Sequence, residues 1–536
     1  MIASCKRWST LVSSAALAAG CILQSAVAQS IPQAPAGVPF VGTWSAPGQL
    51  VSSQVSPGTI RQIMHTSVSG SSARIRLSNL FGTDPLVVED VQLALQANAS
   101  AIIAGSQKQL TFGGSTSVTI APGQEAVSDP VSFQVPSAAN IALSLFLASP
   151  LSSYTGQAQG LQDTYMAAGD VSGQPTLTVT SQSGGYFFLT NLEVQNPQVA
   201  GSIVALGASI TAGIGTNENQ NQRWTNILSQ RLAAVGLTVG VLNEGISGNA
   251  TLSDGAGLSA LHRFQHDVLG QPAARWVSFE DDPINDLNGG GPPSSELIAA
   301  LQSMISQAHQ QQLKFLCATL TPFMGSAGWT QTGETSREAY NSFVLTPGNG
   351  CDAIIDMDAA THDPSNPEMY LPAFDSGDHL HPNAAGDQAI GNAVNLSIFS
   401  QPNPLATIQP PPTCGPIIAG QGLKTSQIDV SCDGRFGLTL QGDSNLVVYL
   451  GSTSLFSSGT VNGQPAQQFN ATAAEAVMQP DGNFMVYDVN GKAIWATNTS
   501  GHPGAALLMQ NDGNLVLYNS SASNAMPIWA SNSCCH

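Results

Sequence analysis

Ser209 stands in Gly207-Ala208-Ser209-Ile210-Thr211, directly after an apolar run at 202–206. A serine hydroxyl is a weak nucleophile near neutral pH. It needs a base to take its proton, an acid to orient that base, and donors for the oxyanion formed in acyl transfer. One segment, "DSGDHLHPNAAG" at 375–386, carries Asp378-x-x-His381-Pro ahead of a helical pattern. A single loop there would present acid and base together. Asp375 competes for the acid's place, but it is spaced four residues from His379 rather than three from His381. The bland alternative is that Ser209 is only a small residue at a tight turn.

These residues need a frame. Apolar strand candidates at 202–206, 238–242, 275–279, 314–319 and 353–357 alternate with helical segments. In "RWTNILSQRLAAVG", Trp224, Ile227, Leu228 and Leu232 share one face. In "SSELIAALQSMISQAHQQ", Leu297, Leu301, Met304, Ile305 and Ala308 do the same. Alternating strands and helices imply a parallel sheet covered by helices, with ligands at the carboxyl ends of the strands. Ser209 follows the first such strand. Residues 37–200 differ: "ARIRLSN", "SVTIAPG", "NIALSLFL" and "TLTVTS" alternate and are separated by turn residues, as in an antiparallel β-sandwich.

The whole chain has 536 residues, more than one core accommodates, so several domains are expected. Only 9% of residues are charged, but 42% are hydrophobic, enough for packed cores. The formal net charge of −19 repels phosphate backbones and anionic membranes, so nucleic acid is an unsuitable partner and a neutral ester or sugar a better one. Lys6 and Arg7 precede an apolar stretch that ends in Ala26-Val27-Ala28, which reads as a secretory signal over 1–28. Ala18-Ala19-Gly20-Cys21 offers a weaker lipoprotein reading, with anchoring at Cys21. No later run is long enough for a membrane span. Export permits disulfides. Cys317 with Cys351 is a plausible pair, whereas Cys414, Cys432, Cys534 and Cys535 allow three pairings. No CxxC suggests zinc. His262 and His266 lie four apart, a helical metal-pair spacing. Without a third ligand they read better as a solvated face, and no metal or cofactor is called for.

With Ser209 and Asp378-x-x-His381 in place, residues 201–400 resemble a GDSL-type, or SGNH, hydrolase. "NEGISGN" at 243–249 matches that family's second block and "PINDL" at 283–287 its third. The resemblance implies a flavodoxin-like α/β/α domain and an ester-hydrolysing activity. Ser209 would be the nucleophile, Asp378 and His381 the acid and base, and Gly248 N–H and the Asn285 side chain the oxyanion donors; a simpler role for Asn285 is to cap a helix. The β-rich segment with "RIRLSNLFG" and "LTFGG" resembles the leader domain of one secreted branch of the family. Two departures stand out. Ala208 replaces the usual Asp before the nucleophile, and Pro283 replaces the usual Gly of the third block. The acidic run Glu280-Asp281-Asp282 would oppose an oxyanion if it pointed inward; its simplest reading is a solvent-exposed loop. A weakened or inactive scaffold is therefore an alternative to an active esterase, and an extracellular lipase is another.

A Pro-rich linker at 401–413 leads into a repeat. "QGDSNLVVY", "QPDGNFMVY" and "QNDGNLVLY" begin at 441, 479 and 510; "IWATNT" and "IWASNS" echo each other, and "LFSSGT" is a weaker echo. As a strand, Gln-x-Asp-x-Asn-x-Val-x-Tyr lines polar groups and an apolar patch along one side, which suits a monosaccharide. The pattern resembles the bulb-type mannose-binding lectins. This implies a threefold β-prism over 414–536 and α-mannose as a metal-free ligand. The sites would be Gln441, Asp443, Asn445, Val447 and Tyr449; Gln479, Asp481, Asn483 and Tyr487, with Met485 in place of Val; and Gln510, Asp512, Asn514, Val516 and Tyr518. The competing reading is that Asp-Gly at 481–482 and 512–513 only makes turns.

Overall fold

The computed structural model describes residues 39–399 without a break, then 415–425, 427–441, 445–461, 464–465, 473–488, 493–520 and 525–534. The segment 1–28 expected to be a signal, with Cys21, the expected linker 401–413, Asp443, Cys414 and Cys535 lie outside the described residues.

Alternation builds the N-terminal β-rich region. In Gly70–Ser78, Ala73, Ile75 and Leu77 are buried, while Arg74 and Arg76 turn the other way to Glu193 and Glu125. This strand pairs antiparallel with Leu189–Gln195 and Val131–Val135. A second antiparallel sheet centres on Gly58–His65, Asn140–Leu147 and Leu86–Asn98. Ile75, Leu77 and Leu192 of the first sheet share one core with Ile60, Val88, Leu93 and Leu143 of the second.

In the central region, Ser202–Gly207 is buried along its whole length. It runs parallel to Gly240–Gly245 on one side and Ala274–Phe279 on the other, with Lys314–Ala318 and Ala353–Ile355 beyond. In chain order the sheet reads 2-1-3-4-5. In such a doubly wound sheet, the crevice opens at the carboxyl ends of the first and third strands. The helices are α1 (Ser209–Ala212), α2 (Trp224–Ala234), α3 (Ala260–Phe264), α4 (Asp282–Leu287), α5 (Ser294–Gln310), α6 (Gln331–Leu345), α7 (Met357–Thr361) and α8 (Ala384–Ala393). The apolar faces expected of α2 and α5 are the faces they bury, Ala300 joining the α5 stripe. Cys317 and Cys351 form a disulfide, and Cys432 is also disulfide-bonded.

The β-rich and central regions are sewn together beside the first two parallel strands. Ser67 Oγ accepts from Val241 N–H at 3.0 Å, and Gln157 Nε2 donates to the Gly245 carbonyl at 2.8 Å. Phe40–Ser45 runs against Gly240–Gly245 so closely that a Cβ on Gly240 would sit 2.2 Å from the Gly42 carbonyl oxygen. Only glycine fits there.

Beyond residue 415, the three larger antiparallel sheets among the described residues are built around Phe436–Leu440 with Leu446–Leu450, Ala473–Met478 with Phe484–Asp488, and Ala506–Met509 with Leu515–Tyr518. Leu438, Val448, Phe484, Val486, Leu507 and Leu517 fill a common core. Phe456, Trp495 and Trp529, one from each sheet, meet edge-to-face with centroids 5.8–6.5 Å apart. Phe456 thus occupies the tryptophan place of the weakest echo, "LFSSGT".

His262 and His266 face different partners. His262 is exposed beside Asp254. His266 crosses the seam, with Nδ1 2.7 Å from Asp267 Oδ1 and Nε2 3.3 Å from Glu125 Oε2. Among the described residues no three His, Cys, Asp or Glu side chains converge to hold a metal ion. The hydrogen bonds that the ring donates to Asp267 and then Glu125 push the His266 pKa from 6.5 up to about 10. A folded-state pKa above the unfolded one means that the stability it adds is complete below about pH 6.5 and is lost as pH rises through about 10. The ring is half exposed, so water screens part of the effect. His266→Gln should lower the melting temperature at about pH 6, and the gap from the parent should close by about pH 10.5, as thermal scans at the two pH values will read.

Candidate active site

The buried strand Ser202–Gly207 ends in Ala208, whose φ of −107° and ψ of −127° break the extended run and start α1 at Ser209. Gly213 closes this single turn in the left-handed region at φ 94°. Arg223 holds the far side, its Nε donating to the Ala212 carbonyl at 2.9 Å and its Nη2 to that of Gly160. Asp387 on α8 accepts from Trp224 N–H at 2.7 Å, which starts α2 beside this turn.

The loop before α8 brings the base. Ser209 Oγ lies 2.9 Å from His381 Nε2, and His381 Nδ1 lies 2.6 Å from Asp378 Oδ2. Opposite a carboxylate, Nδ1 carries the proton, so Nε2 presents a lone pair to the serine hydroxyl. Partial burial raises the Asp378 pKa, but hydrogen bonds from the His381 side chain and from the N–H groups of His381 and Leu380 outweigh it and hold the carboxyl well below its usual range. Asp375 forms its own pair, 2.5 Å from His379 Nδ1. The two acid–base spacings therefore yield two separate pairs, and it is His381 that reaches Ser209.

The second and third blocks meet beside this turn. Ile246 N–H donates to the Gly207 carbonyl at 3.0 Å, and so the loop 246–249 leaves from next to the serine. Gly248 takes φ 80°. Asn285 lies inside α4 rather than capping it, and its Nδ2 donates to the Asn249 carbonyl at 2.8 Å. Asp286 accepts from the N–H groups of Thr251 and Leu252 at 2.6 and 3.2 Å. Gly248 and Asn285 are thereby stitched to each other through the loop that carries the glycine.

Glu280, Asp281 and Asp282 are not a solvent-exposed loop. They are 0%, 4% and 0% exposed. Ala274–Phe279 delivers them into the carboxyl end of the sheet, where each carboxyl has an internal partner. Asp281 Oδ1 accepts from Ala208 N–H at 2.8 Å and Oδ2 from Ile210 N–H at 2.7 Å. Thr211 Oγ1 lies 2.9 Å from both Asp281 Oδ1 and Glu280 Oε2. Asp282 Oδ1 accepts from Asn249 Nδ2 at 2.9 Å. Burial pushes Asp282 up to about 7 despite the nearby Arg263 guanidinium. Pro283 falls in the first turn of α4, where its missing N–H removes no helical bond. Arg263, buried on α3, donates to the carbonyls of Glu244 and Gly207 at 2.6 and 2.9 Å and approaches Asp282 at 3.6 Å. It spans the carboxyl ends of three strands. Read from sequence, Asp286, Asp387 and Arg263 have no role and Asp281 falls in an exposed acidic run; the signal available there is position for Asp281, which follows an apolar strand, and for Asp387, in the first turn of α8.

In the repeats, the expected single strand is instead a hairpin. Gln441, Gln479 and Gln510 N–H groups donate to the Asn445, Asn483 and Asn514 carbonyls at 2.8, 2.9 and 3.0 Å. Gly482 and Gly513 take φ of 87° and 90°, so Asp-Gly does make turns. The turns fold each Gln back on its Tyr: Gln441 Nε2 to Tyr449 Oη at 2.8 Å, Gln479 to Tyr487 at 2.5 Å, and Gln510 to Tyr518 at 2.7 Å. Asp481 and Asp512 each spend one oxygen on the turn, accepting from Asn483 and Asn514 N–H. Val447 and Val516 are buried. In the second repeat Asn483 Nδ2 lies 2.8 Å from Met485 Sδ, so the methionine takes one of the two amide N–H donors as well as space.

Residues 205–389 match the GDSL-like Lipase/Acylhydrolase family. The chain is 36% identical over 90 residues to the B-type lectin plumieribetin of Scorpaena plumieri, covering 16% of this chain and 72% of that protein. It is 56% identical over 46 residues to a mannose-specific lectin of Galanthus nivalis, covering 8% of this chain and only 29% of that one. An acetyl xylan esterase of Geobacillus stearothermophilus aligns at 21% identity over 37% of this chain and 94% of its own, with a TM-score of 0.30. The chain thus carries a GDSL-like acylhydrolase domain and, through its lectin-like stretch, belongs to the B-type lectins.

The geometry around α1 leaves no room for a side chain at its end. A Cβ on Gly213 would lie 2.5 Å from Arg223 Cγ, on a backbone whose φ is 94°. Gly213→Ala should cost about 1–3 kcal/mol in urea unfolding, whereas Gly236→Ala, at φ 76° with open space around its Cβ, should show the smaller cost of backbone strain alone.

Proposed function

We propose that this chain is an exported serine esterase whose lectin-like domain holds it on mannose-bearing glycans. The observation that carries the reading is the unbroken hydrogen-bonded line Ser209–His381–Asp378 at the carboxyl end of the first parallel strand. Ser209 Oγ attacks the ester carbonyl carbon while His381 Nε2 takes its proton. The negative charge on the carbonyl oxygen is met by the Ser209 N–H, which has no intrahelical acceptor at a helix start, by the Gly248 N–H and by Asn285 Nδ2. His381 then gives its proton to the departing alcohol, leaving an acyl group on Ser209. Water, activated by the same imidazole, releases the acid and restores the serine.

The acyl group is short, acetyl before longer chains, and the alcohol is a polysaccharide hydroxyl. A tether that retains the enzyme on glycan raises the local concentration of such esters. The internal partners of Glu280, Asp281 and Asp282 support an active centre over an inert scaffold, since those carboxyls are engaged within the protein. Three hairpin repeats around one aromatic centre support a β-prism, and two sheets sharing a core support a sandwich ahead of the hydrolase. The first and third repeats bind mannose through Asn, Asp and Tyr groups over a valine, and the second binds it weakly because of Met485. Residues 1–28 direct export.

The protein should hydrolyse p-nitrophenyl acetate, and Ser209→Ala should lose at least about 10⁴-fold of that rate; equal rates in both proteins would sink the reading. Butyryl and palmitoyl esters, run beside acetylated mannan and xylan, separate an acetyl esterase from a lipase. Replacing Asp512 by Ala in the third repeat together with Asp443 in the first should abolish retention on mannan while leaving acetate release unchanged. Retention that survives would remove the lectin half of the proposal.

A further inference from the structure

Thr211 Oγ1 sits 2.9 Å from Glu280 Oε2 and 2.9 Å from Asp281 Oδ1. A hydroxyl has one proton, so it can donate to only one of two carboxyls. Were both ionised, the second contact would set an oxygen lone pair against a negative charge in a site where neither acid is more than 4% exposed. The second contact becomes favourable when one carboxyl carries a proton and donates it to Thr211. Asp281 is the worse candidate, because both of its oxygens already accept: Oδ1 from Ala208 N–H at 2.8 Å and Oδ2 from Ile210 N–H at 2.7 Å. Glu280 accepts nothing from the backbone, and its side-chain partners are two hydroxyls, those of Thr211 and Ser278.

We propose that Glu280, Thr211 and Asp281 share one proton beneath the nucleophile, with Glu280 the neutral acid, Thr211 the relay and Asp281 the anion, and that Asp281 is the positioning residue that sets Ser209. Glu280 donates to Thr211 Oγ1, and Thr211 donates to Asp281 Oδ1. Asp281 is left with lone pairs on both oxygens for the two N–H groups that flank Ser209 in sequence. Burial pushes the Glu280 carboxyl well above its ordinary range, in agreement with this proton count. A longer N–H bond to Asp281, at 3.4 Å, comes from Thr211, and the short ones come from residues 208 and 210. The N–H of Ser209 between them is left for the oxyanion, and rotation of the turn is blocked from both sides. With Ala208 in front of the serine, the carboxylate that grips this turn comes from the neighbouring strand. The inference rests on the serine-hydrolase reading above.

Asp281→Asn is the decisive variant. The amide keeps the shape but has one acceptor oxygen, so one of its sides must face an N–H with another N–H. The expected result is a fall of about 100-fold in kcat with KM within about threefold, the size of effect a misplaced reacting group produces. Glu280→Gln, which replaces a neutral acid by a neutral amide, should stay within about threefold of the parent in both constants. The infrared difference between parent and Glu280→Gln should show the loss of a protonated-carboxyl band at neutral pH. Loss of carboxylate bands instead would overturn the proton assignment, whether or not any ester is turned over. An Asp281→Asn protein with parental kcat would overturn the positioning role. If that variant does not fold, Thr211→Val replaces it: removing the relay should lower kcat about tenfold at constant KM, and an unchanged kcat would count against the proposal. A parent protein that turns over no ester refutes the hydrolase reading and the positioning role with it, while the infrared result still decides the shared proton.

Discussion

A carboxylate taken out of water must find its hydrogen bonds inside the protein, and around Ser209 that demand shapes the site. Asp281 lies at the end of the third parallel strand, where water is excluded and strand ends leave backbone N–H groups free. It draws Ala208 and Ile210 onto itself. The residue between them cannot then relax into the sheet. The nucleophile's turn is held from below by charge and from behind by Arg223, which bonds to the Ala212 carbonyl. The catalytic line to His381 arrives from a different part of the chain, on a loop whose own carboxylate, Asp378, is satisfied by Leu380 and His381 N–H groups. Each half of the site is thus rigid before the two meet at 2.9 Å.

The other buried charges work on the same terms. Arg263 reaches the carbonyls of Gly207 and Glu244 and comes near Asp282. Strands in a parallel sheet end with unpaired carbonyls at the crevice, and a single planar guanidinium serves several of them at once. Asn249 answers Asp282, Asn285 answers the Asn249 carbonyl, and Asp286 answers the N–H groups of Thr251 and Leu252. The oxyanion-side loops gain their order from this network, because the loop 246–249 is too polar to be held by apolar packing alone. The N-terminal β-rich region adds a second constraint: Gly42 lies close against Gly240 at the start of strand Gly240–Gly245, and Gln157 Nε2 donates to the Gly245 carbonyl at its crevice end.

Much of this was legible in the residues. Runs of apolar residues alternating with helical patterns marked all five parallel strands, and the period of α5 marked its buried face, since periodicity reports directly on which side meets a core. Asp378-x-x-His381 was legible because the spacing of acid and base is local. What escaped depended on contacts across the chain. "FEDDP" reads as charge, and a stretch of charge ordinarily lies in water. Nothing in those letters shows that the N–H groups of a turn seventy residues earlier are aimed at them. Asp375–His379 was ranked below Asp378–His381 on spacing, yet a left-handed φ at His379 lets both pairs form in one loop.

The C-terminal repeats teach the converse. Their pattern was clear, but an identical pattern fits two backbones. Read as one strand, Gln and Tyr share a face at positions one and nine; folded as a hairpin, they touch through a hydrogen bond. Asp-Gly decides between the two, because Gly482 and Gly513 adopt a backbone conformation that closes a turn. A polar pocket on a turn has a different character from one on a strand. Its carboxylate is half committed to holding the loop, and its amide carbonyl is taken by the next strand, as Asn514 is by Ser531 and Ser533. What remains outward is one carboxylate oxygen, one amide donor and a phenol. In the second repeat Met485 occupies one of the two Asn483 amide N–H donors without disturbing the turn, and so one repeat keeps its fold while its surface chemistry changes.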